Sequence, residues 1–176
     1  MLSNLPTPVT SFIGRGRVIA EVKRLLATSR LLTLTGAGGS GKTRLAFQVG
    51  VEMLRDYADG VFAVELGPLS DPRLVAQTAA SALGVLEHGG QSLTESLVQY
   101  LGRRSILLLL DNCEHLISAC AALADALLRG CPALRILAIY AAGARPSAAG
   151  GKSDAVRGGA PLRRARRIES AKLCGH

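Results

Sequence analysis

Apolar residues along the first 138 positions fall into short runs, and the segments between them have helical spacing. Four mostly apolar runs predict strands at 31–35, 61–66, 105–110 and 134–138. Apolar positions three or four apart predict helices over 16–27, 42–57 and 114–128. Helix-start signals add further helices after Asp71-Pro72 and after the capping box that opens at Ser92. Strands that alternate with helices predict a parallel sheet with helices on both faces.

The composition fits a globular chain and excludes several classes of protein. Apolar residues make up 48% of the 176 positions and charged residues 19%, which is typical of a folded domain. No apolar run approaches the ~18 residues of a membrane span, and the N-terminus lacks the basic and apolar regions of a secretory signal. The four cysteines show no C-x-x-C pairing. We therefore expect a cytoplasmic protein with reduced thiols and no membrane partner.

The formal net charge of +8 is distributed unevenly. Residues 1–138 contribute +2 and residues 139–176 contribute +6, so the body is nearly neutral. The basic cluster R-R-A-R-R at 163–167 could contact nucleic acid or acidic lipid. A solvated tail explains the same cluster. Aromatic residues make up only 3% of the chain, which argues against a stacking platform for single-stranded nucleic acid.

A glycine-rich segment joins the first predicted strand to the next helix. It matches G-x-x-x-x-G-K-[ST] at every fixed position, in a strand–loop–helix context that favours a phosphate-binding loop over a turn that holds nothing. Glycines let backbone N–H groups turn toward phosphate oxygens, and the positive end of the helix adds attraction. Lys42 can reach the β- and γ-phosphates, and the Thr43 hydroxyl can be a Mg²⁺ ligand. The candidate nucleotide-binding residues here are Gly36, Gly38, Gly39, Ser40, Gly41, Lys42, Thr43 and Arg44.

An acidic residue follows the third predicted strand, at the edge where open α/β sheets bind ligands. We expect Asp111 to hold Mg²⁺ through water, and the alternative role is an N-cap for the next helix. Asn112 stands where many ATPases of this architecture carry a glutamate that orients the attacking water, and an amide cannot accept a proton. Glu114 is the candidate substitute or, alternatively, a first-turn acid that stabilises the helix dipole. The expected catalytic residues are Lys42, Asp111 and Glu114, and the expected metal ligands are Thr43 and Asp111.

Three separated segments resemble one family in the order in which that family carries them. They are T-S-F-I-G-R at 10–15, L-T-L-T-G-A-G-G-S-G-K-T-R-L-A at 32–46, and the apolar run 107–110 followed by D-N-C-E-H-L at 111–116. The chain from about residue 4 to residue 138 is similar to the signal-transducing P-loop ATPase domain of large bacterial transcriptional regulators of the LuxR and antibiotic-regulatory types. That domain is NB-ARC-like and of the STAND class.

The resemblance implies a fold, a ligand and a mode of action. The fold is a three-layer α/β/α P-loop NTPase with a mainly parallel sheet, incomplete at the C-terminus, in which the strand at 134–138 is central. ATP or ADP, with Mg²⁺, would switch a longer chain between closed and self-associated states, with slow or absent hydrolysis. Ile13, Gly14 and Arg15 would pack near the adenine and ribose, and a simple helix lead-in is the alternative. DNA contacts would belong to output domains outside this sequence.

The family pattern is lost after Ala138. The family continues with Thr-Ser-Arg, whose arginine senses the γ-phosphate, whereas this chain continues I-Y-A-A-G-A-R at 139–145. Fifteen of residues 139–176 are Ala or Gly, a composition that a GC-rich gene yields in a wrong reading frame. We therefore expect a frameshifted or truncated gene product. Its parts would be a partial nucleotide-binding domain at 1–138 and an Ala/Gly/Arg-rich tail at 139–176, disordered or out of frame.

Two other functions compete with the nucleotide-binding switch. A kinase-like transferase would use the same phosphate loop, and it would also need an acceptor pocket and a mobile basic lid, neither of which can be located in the sequence. A non-enzymatic DNA-binding fragment would act through the basic tail, so deletion of residues 139–176 would abolish its DNA binding.

Overall fold

The computed structural model describes residues 2–6, 16–87, 89–141 and 166–169. The elements in chain order are α1 (Gly16–Thr28), β1 (Leu31–Gly36), α2 (Lys42–Glu52), β2 (Gly60–Glu65), α3 (Val75–Leu83), α4 (Leu93–Leu101), β3 (Ile106–Asp111), α5 (Ile117–Gly130), β4 (Arg135–Ala141) and β5 (Arg166–Glu169). A 3₁₀ turn, Pro72–Leu74, leads into α3. Across these ranges, no helix combines the length and the apolar character needed to cross a bilayer.

The strands form one parallel sheet in the order β2-β3-β4-β1-β5. β4 lies between β3 and β1, which confirms the central position expected for this strand. Ala138 of β4 pairs with Thr33 on one side and with Leu110 on the other. The carboxyl ends of β1 and β3 therefore flank β4 at the same edge of the sheet.

The sheet is covered on both faces because alternate residues of its central strands are apolar on both sides. Leu108 and Leu110 pack with α3, α4 and α5 on one face. Leu107 and Leu109 pack with α1 and α2 on the other face. All of β3 is buried, as the uninterrupted apolar run predicts. These layers confirm the three-layer α/β fold.

Helix α2 is shorter than its apolar periodicity predicts. It ends at Glu52 instead of Tyr57, because the chain then forms tight turns in which the Asp56 N–H donates to the Met53 carbonyl at 2.9 Å. Met53 and Tyr57 are nevertheless buried. Their apolar character therefore reflects core packing outside a helix.

Helix α5 also begins later than predicted, at Ile117 instead of Glu114. Asn112 has a φ of 56°, and the Leu116 N–H then closes a turn on the Cys113 carbonyl at 3.0 Å. This turn separates the end of β3 from the start of α5.

Two segments of strand lie beyond residue 138, where the predicted strands and helices end. β4 continues to Ala141 because β1 continues to Gly36, and these two residues pair. β5 pairs with the outer edge of β1, and its Ile168 is buried. The sequence predicts no strand there, since four residues with one apolar side chain give no alternating pattern. The rest of the segment 142–176 lies outside the described residues.

The N-terminal segment covers the outer edge of β2. The Leu2 carbonyl accepts the Val61 N–H at 3.1 Å. The Asn4 amide donates to the Ala63 carbonyl at 2.8 Å and accepts the Ala63 N–H at 2.7 Å. A Cβ at Gly60 would lie 2.2 Å from the Leu2 carbonyl oxygen, and the φ of Gly60 is 111°. Glycine is therefore required where this segment approaches the strand.

Candidate nucleotide-binding site

The glycine-rich loop connects β1 to α2 at the carboxyl edge of the sheet, with Gly36 ending the strand and Lys42 beginning the helix. Gly39 and Gly41 have φ values of 71° and 76°, a left-handed conformation that other residues rarely adopt. Gly41 is the N-cap of α2 and provides no side-chain cap. The start of this helix is thus suited to an anion, which its N–H groups and its dipole both favour.

The Lys42 ammonium is folded over the loop. Its Nζ donates to the carbonyls of Gly36 at 3.0 Å and Ala37 at 2.7 Å, and it lies 3.5 Å from the Ser40 hydroxyl. Lys42 is only 8% exposed, and no described carboxylate forms an ion pair with it. A buried cation held by neutral carbonyls keeps its full attraction for an anion.

Thr43 and Asp111 meet at the same edge. The Thr43 hydroxyl donates to Asp111 Oδ1 at 3.0 Å, and Asp111 is 3% exposed. A hydroxyl that donates its proton to a carboxylate keeps its lone pairs for another ligand. The structure therefore brings the two sequence-predicted metal ligands together next to Lys42.

The electrostatics of Asp111 favour a cation nearby. Burial raises the pKa of the Asp111 carboxyl, and the charges of Glu114 and Glu65 add to the rise. Hydrogen bonds from the Thr43 hydroxyl and the Asn112 backbone N–H oppose it. A divalent cation at this point would stabilise the ionised carboxyl in the same way.

The alternative roles for the two acidic residues do not fit the structure. α5 begins at Ile117 with Leu116 in its cap position, so Asp111 is not its N-cap and Glu114 is not in its first turn. Glu114 Oε2 is buried and has no hydrogen-bond partner among the described residues. Because an unpartnered buried carboxylate oxygen is unfavourable, this atom is suited to a bound water or cation.

Asn112 and His115 tie this edge to the loop after β2. The Asn112 amide packs on Gly67, where a Cβ would lie 2.9 Å from Asn112 Nδ2. His115 Nε2 lies 2.6 Å from the Leu69 carbonyl oxygen. Sequence reasoning missed both contacts, because they join two loops far apart in the chain and neither contact belongs to a motif.

The structure describes only part of the remaining candidate nucleotide-binding residues. Arg44 is exposed in the first turn of α2, and Ile13, Gly14 and Arg15 lie outside the described residues. Sequence reasoning also missed Thr35, whose hydroxyl donates to the Ile168 carbonyl at 3.3 Å and links β5 to β1 beside the loop.

The described ranges contain no group of three His, Cys, Asp or Glu side chains placed for a metal. A metal beside Thr43 would therefore take further ligands from phosphates and water.

A protein-family model described as "AAA domain" matches residues 25–142 of the chain. The match begins within α1 and ends just after β4. It therefore covers the glycine-rich loop, Lys42, Thr43 and Asp111, and it spans well over half of the sequence.

Several curated relatives match the same region. An uncharacterised protein of Mycobacterium tuberculosis is 43% identical over 129 residues, which cover 73% of this chain and 33% of that protein. "Putative HTH-type transcriptional regulator Rv0890c" of the same species is 48% identical over 117 residues, covering 66% of this chain and 13% of the relative. "Regulatory protein AfsR" of Streptomyces griseus is 32% identical over 123 residues, which cover 62% of this chain and 13% of that protein. The chain thus spans at most about a third of the length of these relatives.

Solved structures share the fold. The ORC2 protein of Aeropyrum pernix, in ADPNP-ADP complexes, is 18% identical with a TM-score of 0.57, and the match covers 78% of this chain and 43% of that one. AMPPCP-bound DnaA of Aquifex aeolicus is 19% identical with a TM-score of 0.51, and the match covers 90% of this chain and 47% of that one. At these identities the likeness concerns the fold alone.

Proposed function

The chain belongs to the AAA domain family, and on that premise we propose that it is an ATP- or ADP-binding switch domain of a transcriptional regulator. Relatives named as regulators support the setting, and fold neighbours solved with adenine nucleotide analogues support the ligand. The finer assignment, an NB-ARC-like domain of the STAND class from LuxR-type or antibiotic-regulatory proteins, rests on the resemblance of the three sequence motifs.

One observation carries the proposal, namely the 3.0 Å contact between Thr43 and Asp111 beside the buried Lys42 ammonium. In our proposal, phosphates bind the N–H groups at the start of α2. Lys42 then exchanges the Gly36 and Ala37 carbonyls for phosphate oxygens, since charge-assisted hydrogen bonds are stronger than neutral ones.

Two further sets of contacts complete the proposed nucleotide site. Mg²⁺, when bound, would neutralise charge on the phosphate oxygens. The Thr43 hydroxyl would hold it directly and the Asp111 carboxylate through water, because both present hard oxygen donors at the loop. From the family resemblance, Ile13, Gly14 and Arg15 contact the adenine and ribose.

Slow or absent hydrolysis is part of the proposal. Asn112 follows the metal-binding aspartate, and its amide cannot take a proton from water. Glu114 is the remaining carboxylate, and its buried Oε2 has no described partner, so it is our candidate for orienting water. Glu114 lies in a turn rather than directly after β3. We therefore assign nucleotide binding and switching to this site, with slow or absent hydrolysis.

The switch would act within a longer protein. Because the chain spans a third or less of its relatives, we propose that DNA contacts belong to other parts of such a regulator. Self-association, controlled by whether ATP or ADP is bound, is proposed for the same longer protein. The domain itself would contribute the nucleotide site.

Replacement of Lys42 by alanine tests the nucleotide site. We expect calorimetric titration with ATP and Mg²⁺ to give about 10- to 100-fold weaker binding for Lys42→Ala, the range for lost charge-assisted hydrogen bonds. Circular dichroism should show an unchanged fold. Lys23→Ala is the matched control, since Lys23 Nζ pairs with Glu52 at 3.4 Å on the surface. Equal ATP affinities for the Lys42 and Lys23 variants would contradict the proposal.

A further inference from the structure

A second cleft opens at the amino edge of the sheet, opposite the phosphate-binding loop. It has a volume of about 440 Å³, and its walls come from α1, the turn after α2 and the segments that lead into β3 and β4. Small-molecule sites commonly have volumes of roughly 300–1,000 Å³. The proposed nucleotide function does not use this cleft.

Arg135 distinguishes the cleft from a gap in the packing. It is the first residue of β4, it is half-buried, and it lines the cleft. No carboxylate or carbonyl among the described residues pairs with its guanidinium. Lys23, in another wall, is already paired with Glu52. A guanidinium in the lining that has no partner among the described residues is suited to an anion that enters the cleft.

Tyr57 provides a hydrogen-bond donor in the same cleft. Burial raises the pKa of the Tyr57 phenol, and the positive charge of Arg135 only partly opposes the rise. The phenol therefore stays protonated at neutral pH and offers an O–H donor. A cation and an O–H donor in one cleft together fit a carboxylate, which accepts hydrogen bonds at both oxygens.

The other lining residues of the cleft indicate the polarity and charge of the rest of the ligand. Ala27, Pro132 and Ala133 are apolar residues of the lining that solvent reaches, and they favour an apolar body. Asp56, an exposed carboxylate of the lining, disfavours a second negative charge. We propose that this cleft binds a small organic monocarboxylate, with its carboxylate on Arg135 and Tyr57 and its apolar part against Ala27, Pro132 and Ala133.

Titration of the full 176-residue chain with 4-phenylbutyrate tests this site, with the neutral 4-phenylbutyramide as the matched probe. Calorimetry or NMR should show the carboxylate binding about tenfold more tightly than the amide, as expected for a charge-assisted contact. Arg135→Gln should remove that preference. Arg129→Gln should keep it, because Arg129 pairs with Asp125 at 2.8 Å on the surface. Tyr57→Phe should weaken carboxylate binding more than amide binding, because the charged acceptor takes the stronger hydrogen bond from the phenol.

Several outcomes would overturn the proposal. They are no saturable binding of 4-phenylbutyrate, equal binding of the two probes, or an undiminished preference in Arg135→Gln. Lys42→Ala separates this site from the nucleotide site, since it should leave 4-phenylbutyrate binding unchanged. A loss of 4-phenylbutyrate binding in Lys42→Ala would place the probe at the phosphate loop and refute the second site. Failure of ATP binding with intact 4-phenylbutyrate binding would refute the proposed function alone.

Discussion

Thr43 and Asp111 are 68 positions apart in the sequence, yet their side-chain oxygens lie 3.0 Å apart. Asp111 is the last residue of β3, Thr43 follows β1 after the glycine-rich loop, and both strands lie beside β4. The parallel register aligns both strands on Ala138, so their carboxyl ends reach the same point. Two local motifs thus provide the residues, and the register of the sheet brings their side chains within hydrogen-bond distance.

Asp111→Asn is the sharpest test of the metal assignment. The substitution keeps the shape and an acceptor for the Thr43 hydroxyl, and it removes the negative charge that a cation needs. We expect the strengthening of ATP binding by Mg²⁺ to fall by about tenfold or more, the range for outer-shell metal partners, while binding in the presence of a chelator stays unchanged. Calorimetric titrations with and without Mg²⁺ measure both quantities.

The surface variant Asp125→Asn serves as the control for this experiment, since Asp125 pairs with Arg129 on the exposed side of α5. It should behave as the wild type with and without Mg²⁺. An Asp111→Asn protein with the full Mg²⁺ effect would remove Asp111 from the metal site.

The proximity of three candidate site residues could be predicted from the sequence. Lys42, Thr43 and Asp111 belong to patterns whose chemistry dictates residue type and order, so their proximity was predictable once a parallel sheet was inferred. The packing of Asn112 on Gly67 was not predictable, because it depends on the path of two loops. The burial of Glu114 Oε2 was not predictable either, since it depends on where α5 begins.

Among elements, the strands were easier to predict than the ends of the helices. β3 reads as a strand because every residue from Ile106 to Leu110 is apolar, and the sheet is covered on both faces. The periodicity that placed the end of α2 at Tyr57 failed because a buried side chain leaves the same pattern in a helix and in a turn. β5 escaped prediction because an edge strand pairs through its backbone, which every residue shares.

Strand β3 should tolerate little loss of volume. Leu109 is fully buried within the core on the α1 and α2 face, and Leu109→Ala should lower the free energy of unfolding by about 2–5 kcal/mol. Leu86 is 77% exposed, and Leu86→Ala should change it by less than about 0.5 kcal/mol. Urea denaturation of the two variants beside the wild type measures the difference. Similar losses in both would mean that Leu109 is not a core residue.

The two ends of the sheet are built differently, with β5 as the outer strand at one end and β2 at the other. β5 pairs with the outer edge of β1, and the N-terminal segment pairs with the outer edge of β2 through Leu2 and Asn4. Asn4 uses a side-chain amide to satisfy one backbone donor and one backbone acceptor of Ala63, as a neighbouring strand would. The β2 edge is therefore closed by a segment whose described residues, 2–6, form one β-bridge, between Ser3 and Val61.

Asn4→Ala should open the β2 edge. The backbone N–H and carbonyl of Ala63 would lose their partners, and we expect a loss of about 1–3 kcal/mol in unfolding free energy. Hydrogen exchange at the Ala63 amide should accelerate, which NMR detects residue by residue. Ser3→Ala is the control, because the Ser3 hydroxyl accepts only the exposed Leu5 N–H at 3.1 Å. Unchanged hydrogen-exchange protection of the Ala63 amide in Asn4→Ala would show that the Asn4 side chain does not stabilise the edge of β2.

The glycine at the start of β2 has a consequence for handling the protein. Gly60 presents no side chain, so nothing at that position would hinder another chain once Leu2 moved away. An uncovered strand edge is a template for intermolecular pairing and aggregation. Proteases that trim the first few residues, or a bulky tag fused directly before them, would therefore be expected to reduce solubility before they affect ligand binding.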